Sequence, residues 1–141
     1  MSPKDATEST RAVLAGARDG LPFDDTTDFD DARRGLIAEL PDGGAIRDAD
    51  GNTVWDVGQY DWVNHGECPD TVHPSLHRQT QLLTVHGLFE VCERVYQVRS
   101  ADLANMTIIE GDTGVILVDP LTAPATARAA LDLYEAHRGT R

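Results

Sequence analysis

Apolar residues are unevenly spread along this chain: they concentrate after residue 81, and acidic runs interrupt what comes before. In the last third the pattern is that of strands. Residues 89–91 (Phe-Glu-Val) and 95–98 (Val-Tyr-Gln-Val) alternate with the period that places one sheet face in a core. Residues 106–110 and 115–119 carry continuous runs instead, Ile108-Ile109 and Val115-Ile116-Leu117-Val118, joined by a Gly111-Asp112-Thr113-Gly114 turn. Continuous apolar strands are expected to be covered on both faces. Residues 123–137 then switch to helical spacing, with Ala127, Ala130, Leu131 and Tyr134 on one face and His137-Arg138-Gly139 as the stop. One hairpin and one helix cannot cover both faces of such a sheet, so the core reads as half-built.

The earlier elements are shorter. Asp5-x-x-Glu8 reads as a capping box for a helix that carries Val13 and Leu14 and stops between Gly16 and Gly20. The acidic stretch that follows has apolar anchors (Leu21, Phe23, Phe29, Leu36, Ile37, Leu40) too irregular for one long helix, with a short helix expected over 29–36. It cannot make its own core and is expected to lie along another surface. Residues 45–58 read as a hairpin around Asp50-Gly51-Asn52, and 59–73 as loop. Pro74 suits the first turn of a helix ending with Gly87 in the position after the cap, its apolar face being Leu76, Leu83 and Leu82 with His86. There is no internal repeat. The expected organisation is an N-terminal helix and arm (1–22), a wrapping segment with hairpin and helix (23–87), and the start of a larger α/β domain (88–141).

Charge removes several function classes. The 141 residues hold 24 acidic and 12 basic side chains, a net charge of −12, and Lys4 is the only lysine. Phosphate recognition needs clustered Lys and Arg, so no nucleic-acid partner is expected, and an anionic membrane surface would repel the chain. The acidity fits either a self-repelling soluble surface or a high-salt habitat. No apolar run reaches signal-peptide or membrane-span length, giving a cytoplasmic expectation with no membrane partner. Cys68 and Cys92 read as free thiols.

Few constellations carry chemistry. His73 and His77 are four apart, yet Pro74 puts His73 at or before the helix start, and no third ligand is well spaced. The loop His65-Gly-Glu-Cys68 lacks a second ligand pair. His86 reads as a cation at a helix end. Asp24, Asp25, Asp28, Asp30 and Asp31 lack the spacing of a Ca²⁺ loop and read as a solvated acidic face. Arg33, Arg34 and Arg99 could meet a sulfate, ion pairing being the commoner fate. No Ser, His and Asp set suggests a nucleophile, so no catalytic residue is assigned. Asp119, at the end of an apolar strand and before Pro120, is either delivered to the rim of a site or simply ends the strand.

The segments FDDARRGLIAELPDG (29–43), HPSLHRQTQLLTVHGLFEV (73–91) and VYQVRSADLANMTIIEGDTGVILVDPL (95–121) resemble the zinc-dependent alkyl sulfatases of the metallo-β-lactamase superfamily, from about Phe23 onward. The resemblance implies an α/β (α+β) fold: the first strands and first helix of an αββα sandwich, after a wrapping N-terminal arm, in an incomplete domain. It implies an intact enzyme that hydrolyses alkyl sulfate esters of the dodecyl sulfate type to alcohol and sulfate with a binuclear zinc centre. Asp119 would stand beside the metal site as an orienting group, with Asn105 on the rim. The family's His-x-His-x-Asp-His ligand motif does not occur in this chain, nor do its dimerisation region and lipid-carrier-like domain. The resemblance therefore implies an N-terminal fragment with no metal ligand or cofactor of its own, inactive alone, whose partner is the remaining polypeptide and, through it, the alkyl sulfate and a homodimer. The alternative is a non-catalytic module that binds a separate chain through its sheet edge.

Overall fold

Four strands alternate or run apolar late in the chain, and in the computed structural model they pair as consecutive antiparallel neighbours; residues 4–140 are described. β4 (Gly87–Cys92), β5 (Val95–Arg99), β6 (Met106–Glu110) and β7 (Val115–Val118) follow in that spatial order, and a short β1 (Leu36–Ala38) adds outside β4. The architecture is thus mixed α/β with an antiparallel sheet. β2 (Ala45–Arg47) and β3 (Thr53–Asp56) form a separate hairpin, as the sequence predicts. Its turn is organised by Asp48, whose carboxylate accepts from the Asp50 and Asn52 amides, while Gly51 supplies the positive φ.

Register fixes which side chains share a face. Leu88 pairs with Val98 and Val98 with Met106; Tyr96 pairs with Ile108. This face packs under α4 (Pro124–Arg138) through Ala130, Leu133 and Tyr134, with Leu40 and Ile46 of the arm in the same cluster. The Tyr96 and Tyr134 rings meet at 5.8 Å and 59°. At the far end Glu110, its side chain only 2% exposed, accepts from the Tyr134 hydroxyl at 2.9 Å and pairs with Arg138 at 3.1 Å. A carboxylate so buried is tolerable only because it is paired.

The opposite face carries Phe89, Gln97, Thr107 and Val118 in one cross-strand row, and Val95, Ile109 and Ile116 in the next. Phe89 is fully buried, but Ile116 and Val118 are 62% and 50% exposed; Leu117, which pairs with Ile108 on the α4 face, is exposed too. The expectation that both faces of these strands are covered fails within this chain: on this face no described residue buries Ile116 or Val118, and the outer edge of β7 has no neighbour among the described residues.

The arm departs from expectation in several places. α1 (Glu8–Asp19) is capped by Thr7, whose hydroxyl accepts from the Thr10 amide at 3.1 Å, and not by an Asp5 box. α2 spans Thr27–Arg33, and Leu36 belongs to β1, which periodicity over three residues could not reveal. Residues of the expected 59–73 loop instead continue a 3-10 segment over Val57–Asn64. α3 spans Pro74–Leu83 and stops short of Gly87. Gly87 opens β4 at φ 134, where a Cβ would sit 2.1 Å from the Ala38 carbonyl oxygen; the glycine is there so that β1 can approach. The buried side of α3 is Pro74 and His77, whereas Leu76 and Leu83 are exposed, the reverse of the expected face.

The acidic segment is held along α3, as its composition demands, by Arg78. Its guanidinium reaches the Asp28 carboxylate at 2.6 Å, donates to the Phe23 and Asp25 carbonyls and lies over the Phe29 ring at 4.9 Å. Part of the cluster read as a solvated face is therefore a clamp, and the Arg78 bond holds the Asp28 carboxyl below the usual range.

Candidate functional site

The end of the sheet where β5 stops, β6 starts and β7 stops gathers the residues singled out from sequence. Thr107 pairs with Val118, so Asn105 and Asp119 leave the same end of the β6–β7 hairpin. Both are exposed. The Asn105 amide oxygen accepts from the Ser100 amide at 3.3 Å, and one Asp119 carboxylate oxygen accepts from the Leu121 amide at 3.3 Å across Pro120. Of five non-glycine residues with positive φ among the described residues, three lie here: Ser100 (58°), Asp119 (54°) and Leu121 (71°). For a leucine this backbone is unfavourable, and such conformations persist only where surrounding contacts enforce them.

Among these positions stands Asp102, which sequence reading missed. Its buried carboxylate accepts from the Thr122 amide (3.0 Å), the Thr122 hydroxyl (2.7 Å) and the Thr126 hydroxyl (2.6 Å), and from the Leu103 amide (2.5 Å). Burial works to raise this carboxyl, but the hydroxyls and amides outweigh it and leave it below the usual range. The bonds tie the 100–105 loop to the start of α4, whose own cap position, Ala123, makes no side-chain cap bond. The signal in the sequence was Thr122 and Thr126 four apart at an uncapped helix start, without any indication of which carboxylate would meet them.

Beside this loop lies an apolar groove of about 230 Å³ lined by Trp55, Tyr60, Leu83, Leu103 and Asn105. The Trp55 indole donates to the Ser100 carbonyl at 2.8 Å and fastens the β2–β3 hairpin to the rim.

The histidines do not come together. His73 caps α3, accepting from the Ser75 amide at 3.2 Å, while His77 is buried at 8% exposure and His65 sits by Asp61. His86 is no helix-end cation: its Nδ1 accepts from the Leu40 amide at 3.2 Å, and burial pushes its pKa down, favouring the neutral ring. Cys68 and Cys92 are unpaired. Among the described residues no three His, Cys, Asp or Glu side chains form a metal-binding group, so the residues present do not fit a zinc centre. No helix among them is long and apolar enough to cross a membrane.

Comparison with known proteins finds this chain similar to alkylsulfatases. The chain is 51% identical over 138 residues to an (R)-specific secondary-alkylsulfatase of Pseudomonas sp., covering 98% of this chain and 20% of that protein. It is 50% identical over 136 residues to a linear primary-alkylsulfatase of Pseudomonas sp., covering 96% and 20%. An alkyl/aryl-sulfatase of Saccharomyces cerevisiae is 47% identical over 118 residues, covering 84% and 18%. The solved structure of the stereoselective inverting sec-alkylsulfatase Pisa1 from Pseudomonas sp. superposes with a TM-score of 0.89 at 51% identity, over 99% of this chain and 22% of that one. No protein-family model matches. The chain is thus a relative of the alkylsulfatases along nearly its whole length and spans about one fifth of theirs. The resemblance to an N-terminal part of such an enzyme holds.

Proposed function

We propose that this chain supplies the opening strands and first helix of an alkyl sulfate ester hydrolase of metallo-β-lactamase type. The supporting observation is identity of about half the residues, over 96% or more of the chain, to two alkylsulfatases. In this reading the substrate is a long-chain alkyl sulfate, cleaved to alcohol and sulfate, and the intact enzyme works with zinc. The zinc ligands come from polypeptide outside these residues, and the chain alone is inactive. Its own contribution is the sheet end where Asp119 and Asn105 emerge. Asp119 orients groups that the adjoining polypeptide brings to the rim, as carboxylates beside metal centres do. Asp102 holds the loops that aim it.

The test is a graft. This chain replaces the matching fifth of the Pseudomonas linear primary-alkylsulfatase, and sulfate release from dodecyl sulfate is measured. The expected result is turnover within about tenfold of the parent, with Asp119→Asn lowering kcat by about 10- to 100-fold, the range for a group supporting metal ligands. A folded graft with no turnover would refute the reading. The free edge of β7 favours a second one, a module that pairs with a separate chain, and that reading predicts a stable heteromeric complex in place of turnover.

A further inference from the structure

The open face of the sheet carries one arginine that the described residues do not neutralise. Six arginines, Arg11, Arg34, Arg78, Arg94, Arg128 and Arg138, each lie within 4.0 Å of a carboxylate. Arg99, at the end of β5, has no carboxylate within that distance among the described residues. In a chain with 24 acidic side chains, an unpaired and partly buried guanidinium is costly. Its environment agrees with the lack of a counter-charge: burial alone acts on Arg99, and it lowers the pKa.

The side chain is nevertheless held in place. Its guanidinium lies 4.2 Å over the ring of the fully buried Phe89. Its Nε donates to the Gln97 amide oxygen at 2.7 Å, and the Gln97 amide nitrogen donates to the Thr107 hydroxyl at 3.3 Å, which sets the Gln97 oxygen toward the arginine. With Nε engaged, the two terminal amino groups have no partner among the described residues. A guanidinium fixed by stacking and by one donor keeps a planar pair of donors for an oxyanion. Register places Arg99 on the face of Thr107 and Val118, at the sheet end where Asn105 and Asp119 emerge. Asp119 is two strands away, about 10 Å by sheet spacing, so it does not neutralise the site.

We propose that Arg99 is an oxyanion-binding residue whose ligand is the sulfate group of the alkyl sulfate ester, received by its two terminal amino groups. This rests on the alkylsulfatase reading. The chain's net negative charge repels anions at long range, so affinity in the isolated chain is weak, in the millimolar range expected of one charge-assisted fork.

The experiment is an NMR titration of the chain with methyl sulfate and, separately, acetate at constant ionic strength, following the Gln97, Arg99 and Thr107 amides and the Arg99 Nε proton. Saturable shifts with methyl sulfate are expected, at least as strong as those with acetate. Arg99→Gln should weaken methyl sulfate about tenfold or more, and Arg99→Lys, which keeps charge over Phe89 but loses the fork, should weaken it severalfold while leaving the remaining amide spectrum unchanged. The lysine variant keeps the test open if the glutamine variant does not fold. No saturable shift by about 100 mM methyl sulfate, or equal binding by either folded variant, would overturn the proposal. Tighter binding of acetate than of methyl sulfate would overturn it too, assigning Arg99 to a polypeptide carboxylate. Because binding and not hydrolysis is read, a negative result removes this role for Arg99 and leaves the alkylsulfatase reading to the graft.

Discussion

The two faces of one five-stranded sheet differ in how completely this chain finishes them. Under α4, Leu88, Tyr96, Val98, Met106 and Ile108 are buried together, and the carboxylate at that margin, Glu110, is fully engaged. On the other face the β1–β4 side buries Phe89, but toward β7 the apolar residues stand in solvent and Arg99 lacks a counter-charge among the described residues. An uncovered edge such as that of β7 is a place where another strand can pair. The contrast teaches that burial must be read face by face, since the same strand, β6, contributes to a finished core and to an unfinished one.

The comparison can be broken most severely at Glu110. Glu110→Ala leaves the Tyr134 hydroxyl at a buried margin without this carboxylate and removes the ion pair of the exposed Arg138, and is expected to cost about 3 kcal/mol, read as a drop in urea midpoint. A loss under about 1 kcal/mol would mean that the finished face is not held there. Next in size is a matched pair. Ile108→Ala, on the α4 face at 0% exposure, should cost about 3 kcal/mol, whereas Ile116→Ala, on the open strand, should stay within about 0.5 kcal/mol. Equal losses would erase the distinction between the faces.

Asp102→Ala should follow at about 2–3 kcal/mol, since it removes the charged acceptor that ties Thr122 and Thr126 to the 100–105 loop and so loosens the rim. The wild-type carboxyl is held below its unfolded value of about 3.9, so its stabilisation is full above that value and is lost as pH falls through the folded pKa. Denaturation midpoints of the wild type and the variant should therefore converge only in strong acid.

His86 gives the smallest effect. Its folded pKa lies below the unfolded value of about 6.5, so the unfolded chain takes up protons first and stability falls as pH drops below about 6.5. Arg33, Glu39 and Asp61 line the same cavity and share its field. His86→Asn, whose side chain does not titrate, should flatten the midpoint between about pH 7.5 and 5.5; an unchanged slope would remove His86 as its source.

Much of the finished face was legible in the sequence. The bounds of β6 and the β6–β7 turn follow from Ile108-Ile109 and Gly111–Gly114, and α4 from its spacing, although Leu133, and not only Leu131, reaches the core. What escaped was decided by distant partners. β1 is three residues long and exists only because Gly87 lets it approach β4. α3 turned its apolar residues outward because His77 and Pro74 fill the space beneath the arm. For β7, composition pointed to two covered faces, which is sound physics applied to more polypeptide than these residues supply. At the rim, the convergence of Asn105 and Asp119 followed once strands 106–110 and 115–119 were paired, whereas Asp102 could not be seen because its partners lie 20 and 24 residues away.

The most direct measurement of the central claim compares one substitution in two settings. Ile116→Lys is placed in the isolated chain and in the graft with the Pseudomonas alkylsulfatase, and unfolding by urea is followed in each. The account predicts a loss of no more than about 0.5 kcal/mol in the isolated chain, where the residue is already in water, and several kcal/mol in the graft, where burying a lysine without a partner is penalised. A folded graft that tolerates Ile116→Lys as readily as the isolated chain does would contradict it.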